Sequence, residues 1–509
     1  MNKEQKEMKK LQKTQRIEQK RVDKATRLEA RRSAKEQKKQ NKALQKQQKK
    51  TKKLYDSAIA RRRKQREQYK NSTQYKLYQL AKKQLNKSID WYKLDNDALL
   101  YPMIATSEGR SNFRLSVQLK ERVQPFVLQE AVNDIFNRFP TMTGCVKWGF
   151  FWPYIDKPLY PIVVTQRSQL PCRPMNIDNK HSQVRVMYYN NAISVEFFHS
   201  ATDGSGGVIF FNTLLTRYFE RLGYNVQRAE NCLEYRDKPK FEELADNIPK
   251  IADRSAIGKA PKTLKARKIV GQKLQDNDFI PYRGICDASQ LKSVAKSMGA
   301  TVNQLLCAAA LIALNKYSEV VCPKDKRPIV LMVPVNLRKI FSMHTLRNFT
   351  NYLTFTYHNQ QTLQEVVEDI KSQEQQQLNK ENFVSIVSQN YFSAHHPLLK
   401  AVPLGIKKLA IQAVCSQRGG GVINSSTFSN LGVVTAPEMF KEHIYRYEFQ
   451  LGQESLPSLS FSCSTFNNVC TIVVTNGNKD SLCPQFFYRT LSEEGIDLAI
   501  ETELIEEQK

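Results

Sequence analysis

The chain has 509 residues, more than one hydrophobic core usually supports, so two globular lobes plus an appendage are expected. Hydrophobic residues make up 41%, ordinary for a globular protein, while the longest apolar run, Leu305 to Leu314, is far short of the roughly 20 residues of a spanning helix. The net charge of +29 is unevenly placed: residues 1–70 hold 27 Lys/Arg against 8 Asp/Glu, or +19, which leaves the remainder only mildly basic at +10.

Residues 1–72 are mostly Lys, Arg, Gln and Glu, with single apolar residues that never sustain a heptad. Such a segment cannot bury a core and is either a solvated helix or a disordered tail. Its charge suits a polyanion, nucleic acid or anionic membrane, and equally a charged tail with no specific partner. It has no apolar h-region, which points to a cytoplasmic chain.

Folded composition begins near Tyr75, and a first lobe is placed over residues 73–224. Residues 113–119 alternate like a strand, and Leu128, Ala131, Val132, Ile135 and Phe136 recur at helical spacing. The dense run Trp148-Gly149-Phe150-Phe151-Trp152 reads as core rather than substrate site. Val184, Val186 and Tyr188, then Ile193, Val195 and Phe197, alternate about Asn190-Asn191, which predicts a hairpin ending at His199. After a turn at Gly204-Ser205-Gly206-Gly207, residues from Val208 to Phe219 carry a helical period.

Residues 225–270 are polar and broken by Pro239, Pro249 and Pro261, as in a crossover between lobes. The second lobe, 271–509, offers helices near 301–314, 362–380 and 404–415, strands near 329–335 and 352–357, and a late hairpin turning at Asn467-Asn468. Strands mixed with helices in both halves give an α/β (α+β) class. The ten cysteines are scattered without a Cys-x-x-Cys and read as free thiols.

A direct acyl transfer needs a group of near-neutral pKa that takes a proton and later returns it, and histidine suits both steps. Of the seven histidines only His199 has Asp four residues on followed by Gly, in His199-Ser200-Ala201-Thr202-Asp203-Gly204. The paired His395-His396 lacks such an Asp, since Leu399 and Lys400 stand there. A lone His is most often structural, but one that closes a strand before a Gly-rich turn is suited to a cleft. No Gly-x-Ser-x-Gly elbow, phosphate loop or His-Glu-x-x-His helix occurs, and Gly419-Gly420-Gly421 reads as a loop or helix stop. The sequence calls for no metal and no bound cofactor.

These residues resemble the chloramphenicol acetyltransferase-like superfamily. The bacterial alcohol acetyltransferase-like members are the most similar, through Arg138-Phe139-Pro140, Gly149-Phe150-Phe151-Trp152, Val333 to Arg338, Thr345-Leu346-Arg347-Asn348-Phe349 and Ser429-Asn430-Leu431-Gly432. The resemblance implies two similar lobes with the active site in a tunnel between them, acyl donor and acceptor entering from opposite faces. It implies His199 as general base and Asp203 as a structural partner of an arginine, for which Arg338 is the best match, with Gly204 supporting the turn. It places an oxyanion or substrate contact at Ser429 or Asn430. Otherwise Arg338 is a surface cation and Ser429-Asn430 a plain turn. Phe198 stands where many condensation domains carry a first histidine, and the plant Asp-Phe-Gly-Trp-Gly signature is absent. The expected activity is transfer of an acyl group, acetyl by the resemblance, from acyl-CoA as co-substrate to a small alcohol. The alternatives are condensation from a carrier-protein thioester and a non-catalytic binding protein with this fold.

Overall fold

The computed structural model describes residues 67–502 apart from 88–89, 105–110, 168–169, 176–177, 259–264, 275–277, 360–361, 418–422 and 453–457, together with scattered positions before 67. The glycine run 419–421 and most of the basic segment 1–72 lie outside the described residues. The chain divides into Met1–Lys76 and Leu77–Lys509. In the first unit the described positions up to Asn71 are helical, as its good helix formers favour. The second unit holds two large sheets, a three-stranded sheet and the helices that cover them.

The first large sheet has the order Ile444–Leu451, Asn112–Leu119, Ala192–Phe198, Val184–Tyr189, Thr165–Gln166. Val184–Tyr189 and Ala192–Phe198 form the expected hairpin, with Tyr189 opposite Ala192 and Asn190 at φ +49°, a conformation that Asn tolerates. Its core gathers the inward residues Phe113, Leu115, Val195 and Phe197 with Leu128 and Ile135 of helix Pro125–Ile135 and Phe210 and Leu214 of helix Gly204–Arg221. The strand Ile444–Leu451 belongs by sequence to the 271–509 segment, yet it pairs antiparallel with Asn112–Leu119. The two halves are thereby joined through a shared sheet.

The second sheet has seven strands, in the order Thr350–Thr356, Val330–Asn336, Ser426–Val433, Leu459–Phe466, Val469–Asn476, Ile280–Asp287, Ala499–Thr502. Ser426–Val433 runs parallel to both neighbours and the other pairs are antiparallel. Asn467 and Asn468, both at positive φ, turn the late hairpin. Helix Val302–Val321 starts on a capping box, Thr301 Oγ1 accepting from the Gln304 N–H while Gln304 accepts from the Thr301 N–H, and its run Leu305–Leu314 lies in the core. Among the described residues no single helix is long and apolar enough to cross a membrane.

Three expectations need correction. Gly204–Gly207 is not a turn before the helix but its first turn, capped by Asp203. A Cβ on Gly206 would stand 2.7 Å from the Leu346 carbonyl and one on Gly207 2.9 Å from the Phe113 ring, so the glycines let the helix start close against the Leu346 backbone and the Phe113 side chain. The aromatic run 148–152 is not core: it is the turn between strands Cys145–Trp148 and Pro153–Asp156, with Phe150 and Phe151 exposed. The crossover 225–270 is more than a polar link, because Ile248 and Ile251 enter the second core and Glu243 makes a bidentate pair with Arg138 at 2.6 and 2.7 Å. The nine described cysteines are free thiols.

Candidate active site

The hairpin strand Ala192–Phe198 delivers His199 at its end, where the His199 N–H donates to the Ser111 carbonyl at 2.8 Å. The Tyr101 ring stacks on the imidazole at 4.5 Å and 18°, and Phe113 meets it edge-on at 5.3 Å. Burial in this aromatic setting pushes the imidazole pKa below its ordinary 6.5; a bond to its own backbone, the charge of Asp203, the contact with Asn348 and the charge of Asp95 pull the other way and lose. The ring is therefore neutral at neutral pH, as a proton acceptor must be.

Asn348 decides which ring nitrogen accepts. Its Oδ1 lies 3.2 Å from His199 Nδ1, while its Nδ2 faces Asp95 Oδ2 at 3.4 Å. A carboxylate accepts only, so the amide N–H turns to Asp95 and the amide oxygen to the imidazole. Nδ1 then carries the proton and Nε2 keeps the lone pair. Asp95 is itself held by Arg347 Nε at 3.1 Å, in a pair almost wholly removed from solvent.

Asp203 is 1% exposed and spends both oxygens. Oδ1 caps the helix by accepting from the Gly206 N–H at 3.0 Å; Oδ2 accepts from Arg338 Nη1 at 2.7 Å and from the Phe349 N–H at 2.9 Å. Arg338 also donates to the carbonyls of Thr345 and Arg347, at 2.9 and 2.7 Å. The segment 345–349, which carries Arg347 and Asn348, is thus tied to the helix head behind His199. Thr202 Oγ1 to the Leu346 carbonyl at 2.8 Å and Asn336 Nδ2 to Ser205 Oγ at 2.9 Å add to the same seam. From the other side the crossover holds it: the Glu243 carbonyl accepts from the Leu346 N–H, and the Ala245 carbonyl from the Thr345 hydroxyl.

Two further carboxylates, Asp97 and Asp246, gather near Asp95. Burial, then the charge of Asp95, pushes the Asp97 carboxyl up to about 8, and the same two causes push Asp246 up to about 6. Among the described residues no group of His, Cys, Asp and Glu side chains is arranged to hold a metal ion.

Ser429 and Asn430 sit on strand Ser426–Val433, whose next residue, Leu431, lies where a Cβ on Gly204 would meet it at 2.9 Å. That brings the strand to the head of helix Gly204–Arg221. The Asn430 amide is occupied in its own turn, Oδ1 accepting from the Gly432 N–H at 2.7 Å and Nδ2 donating to Asn303 Oδ1 at 3.2 Å. Ser429 is half-buried beside it. A cleft of about 650 Å³ lies among Trp91, Leu99, Trp152, Tyr154, His395 and Lys400, and a larger hollow of about 830 Å³ around Cys286 and Asn467; neither is lined by His199, Asp203, Arg338, Ser429 or Asn430.

Sequence reasoning missed Tyr101, Asp95 and the separate part of Asn348. Asn348 was visible only as one residue of the Thr345–Phe349 resemblance, and Asp95 and Tyr101 carry no local signal.

No protein-family model matches the chain, and no curated protein does. Solved structures do match. The first condensation domain of the calcium-dependent antibiotic synthetase, in complex with a substrate analogue, aligns with a TM-score of 0.54 at 13% identity, over 81% of this chain and 100% of that one. Polyketide synthase associated protein 5 from Mycobacterium tuberculosis aligns with 0.52 at 13% identity, over 80% and 97%. Trichothecene 15-O-acetyltransferase from Fusarium sporotrichioides aligns with 0.50 at 12% identity, over 79% and 94%. The chain therefore has the two-lobed fold of the condensation domains and of chloramphenicol acetyltransferase-like acyltransferases.

Proposed function

We propose that this protein is an acyltransferase that moves an acyl group from a CoA thioester to an alcohol, with His199 as general base and no covalent enzyme intermediate. The observation that carries the reading is the imidazole itself: neutral by burial, with Nδ1–H engaged by Asn348 and Nε2 left to accept. His199 Nε2 takes the hydroxyl proton as the alcohol oxygen bonds to the thioester carbonyl carbon, giving a tetrahedral oxyanion. Collapse breaks the carbon–sulfur bond, and the thiolate leaves with the proton returned by His199. A donor from the Ser429 stretch stabilises the oxyanion. Asp203 and Arg338 act on structure, aiming His199 through the helix head.

An acetyltransferase acting on oxygen shares this fold, and the sequence resembles bacterial alcohol acetyltransferases; both support the alcohol acceptor. In this reading the basic segment 1–72 is an arm for a polyanion. The test is free-thiol release from a panel of acyl-CoA donors with alcohol and amine acceptors. Turnover with CoA donors is expected, with His199→Ala folded and slowed at least about 10²-fold. Turnover only with acylated carrier protein would replace the donor, and none with any donor would leave a binding protein.

A further inference from the structure

The helix Leu404–Gln417 buries a lysine and exposes a row of apolar residues. Its inward residue Lys407 is buried, with Nζ donating to the Phe151 carbonyl at 3.0 Å and lying 3.5 Å from the centre of the Trp152 ring. Leu404 is buried as well, but other apolar residues of the helix face outward: Leu409 is 69% and Ile406 59% exposed, with Gly405, Ala410 and Ala413 exposed too. A helix of a water-facing surface has the opposite arrangement. The short helix before it, Pro397–Ala401, adds Leu398 at 74%, and the turn beside it adds Phe150 at 73% and Phe151. Contacts tie these pieces into one face, through the Leu404 N–H to the Phe150 carbonyl at 2.8 Å and Phe150 edge-on to Phe151.

The charges on this face have one sign. No Asp or Glu occurs between Glu381 and Glu438, while Lys400, Lys407 and Lys408 do. All three tryptophans of the chain border it: Trp152 under Lys407, Trp148 under Lys408 at 4.6 Å, and Trp91, 63% exposed, across the cleft from Trp152. Asp90 precedes Trp91 in the chain. Exposed aliphatic residues, tryptophans and lysines without acids are the chemistry of the boundary between lipid headgroups and acyl chains. A second copy of the chain would set the same lysines against one another.

We infer that the face formed by Pro397–Ala401, the exposed side of Leu404–Gln417 and the turn at Phe150 docks on the surface of an anionic lipid bilayer. Leu398, Ile406, Leu409 and Phe150 enter the acyl boundary, and Lys400 and Lys408 meet the headgroups. The docked helix packs on Leu100–Ile104, whose Tyr101 stacks on His199. Docking holds the bilayer one helix away from that histidine. The inference does not rest on the acyl-transfer reading.

Because every tryptophan borders this face, intrinsic fluorescence of the full chain reports on it and is blind to the tryptophan-free basic segment 1–72. The experiment mixes full-length protein with phosphatidylcholine vesicles, with and without phosphatidylglycerol, carrying a spin-labelled acyl chain. Quenching is expected with the anionic vesicles. It should weaken by about 100-fold in vesicle concentration in Leu398→Asp/Leu409→Asp, which removes two inserted side chains. Both positions are exposed, so the melting temperature should stay at the parent value, and Leu398→Ile/Leu409→Met should keep the quenching. Association without quenching would assign binding to residues 1–72 and overturn the inference. Quenching unchanged in the Asp pair, or a lipid-free dimer that the Asp pair dissolves, would overturn it as well.

Discussion

Replacing Asp203 by Asn leaves the helix cap in place, since Asn caps as well as Asp, and removes the charge opposite Arg338. The pair is 2.7 Å apart with side chains 2% and 12% exposed, and the guanidinium is also committed to the Thr345 and Arg347 carbonyls, so it cannot swing out to water cheaply. A charge stranded in that setting costs about 3–5 kcal/mol, against about 1 or less for an exposed pair. In the Leu77–Lys509 unit, an unfolding entropy of about 2.1 cal/mol/K per residue makes that loss a fall of roughly 3–5 °C in melting temperature. The assay is urea unfolding of Asp203→Asn, Arg338→Gln and the double variant, followed by tryptophan fluorescence. Each single variant should lose about 3 kcal/mol or more, and the double should lose clearly less than the sum, because neither charge is then left alone. Single losses under about 1 kcal/mol, or additivity within about 0.5, would refute the reasoning.

The acid limb of kcat/KM should lie below 6.5, because burial lowers the His199 pKa and the base stays neutral as pH falls past the ordinary value; a limb at or above 6.5 would contradict this. Asn348→Ala should cut kcat by about 10–100-fold with little change in KM, as loss of a group that orients the base does, and Asn348→Asp should move the acid limb upward by placing a negative charge at Nδ1; an unmoved profile in both would remove Asn348 from the site. Asp97, raised from 3.8 to about 8, keeps its proton in the folded state while the unfolded chain loses it. Stability should therefore fall as pH rises from about 4 to about 8, and Asp97→Asn should flatten that fall in melting temperatures across the same range; an unaltered slope would show that the carboxyl ionises freely.

What was legible in the sequence is what short-range physics encodes. Alternation about Asn190 and about Asn467-Asn468 determined both hairpins, because side chains two residues apart share a face and Asn tolerates the turn. Helices near 301–314 and 362–380 were legible too, and the structure starts them on bonds spanning three residues, Thr301 with Gln304 and Thr362 with Glu365. The spacing from His199 to Asp203 and Gly204 marked one place in the chain as the candidate site. Tertiary structure alone decided the rest. Ile444–Leu451 joins the sheet of the first lobe because its partner lies more than 300 residues away, beyond any local pattern. Gly204–Gly207 is the first turn of a helix capped by Asp203, and glycine stands there because Leu346 and Phe113 come close from distant segments. The aromatic run at 148–152 looks like core by composition and lies at the surface, since burial depends on what else arrives to cover a side chain. His199 itself is neutral with a directed lone pair only because Tyr101, Asn348 and, behind it, Asp95 come in from distant segments, and a pKa is set by the enclosure that the whole fold assembles.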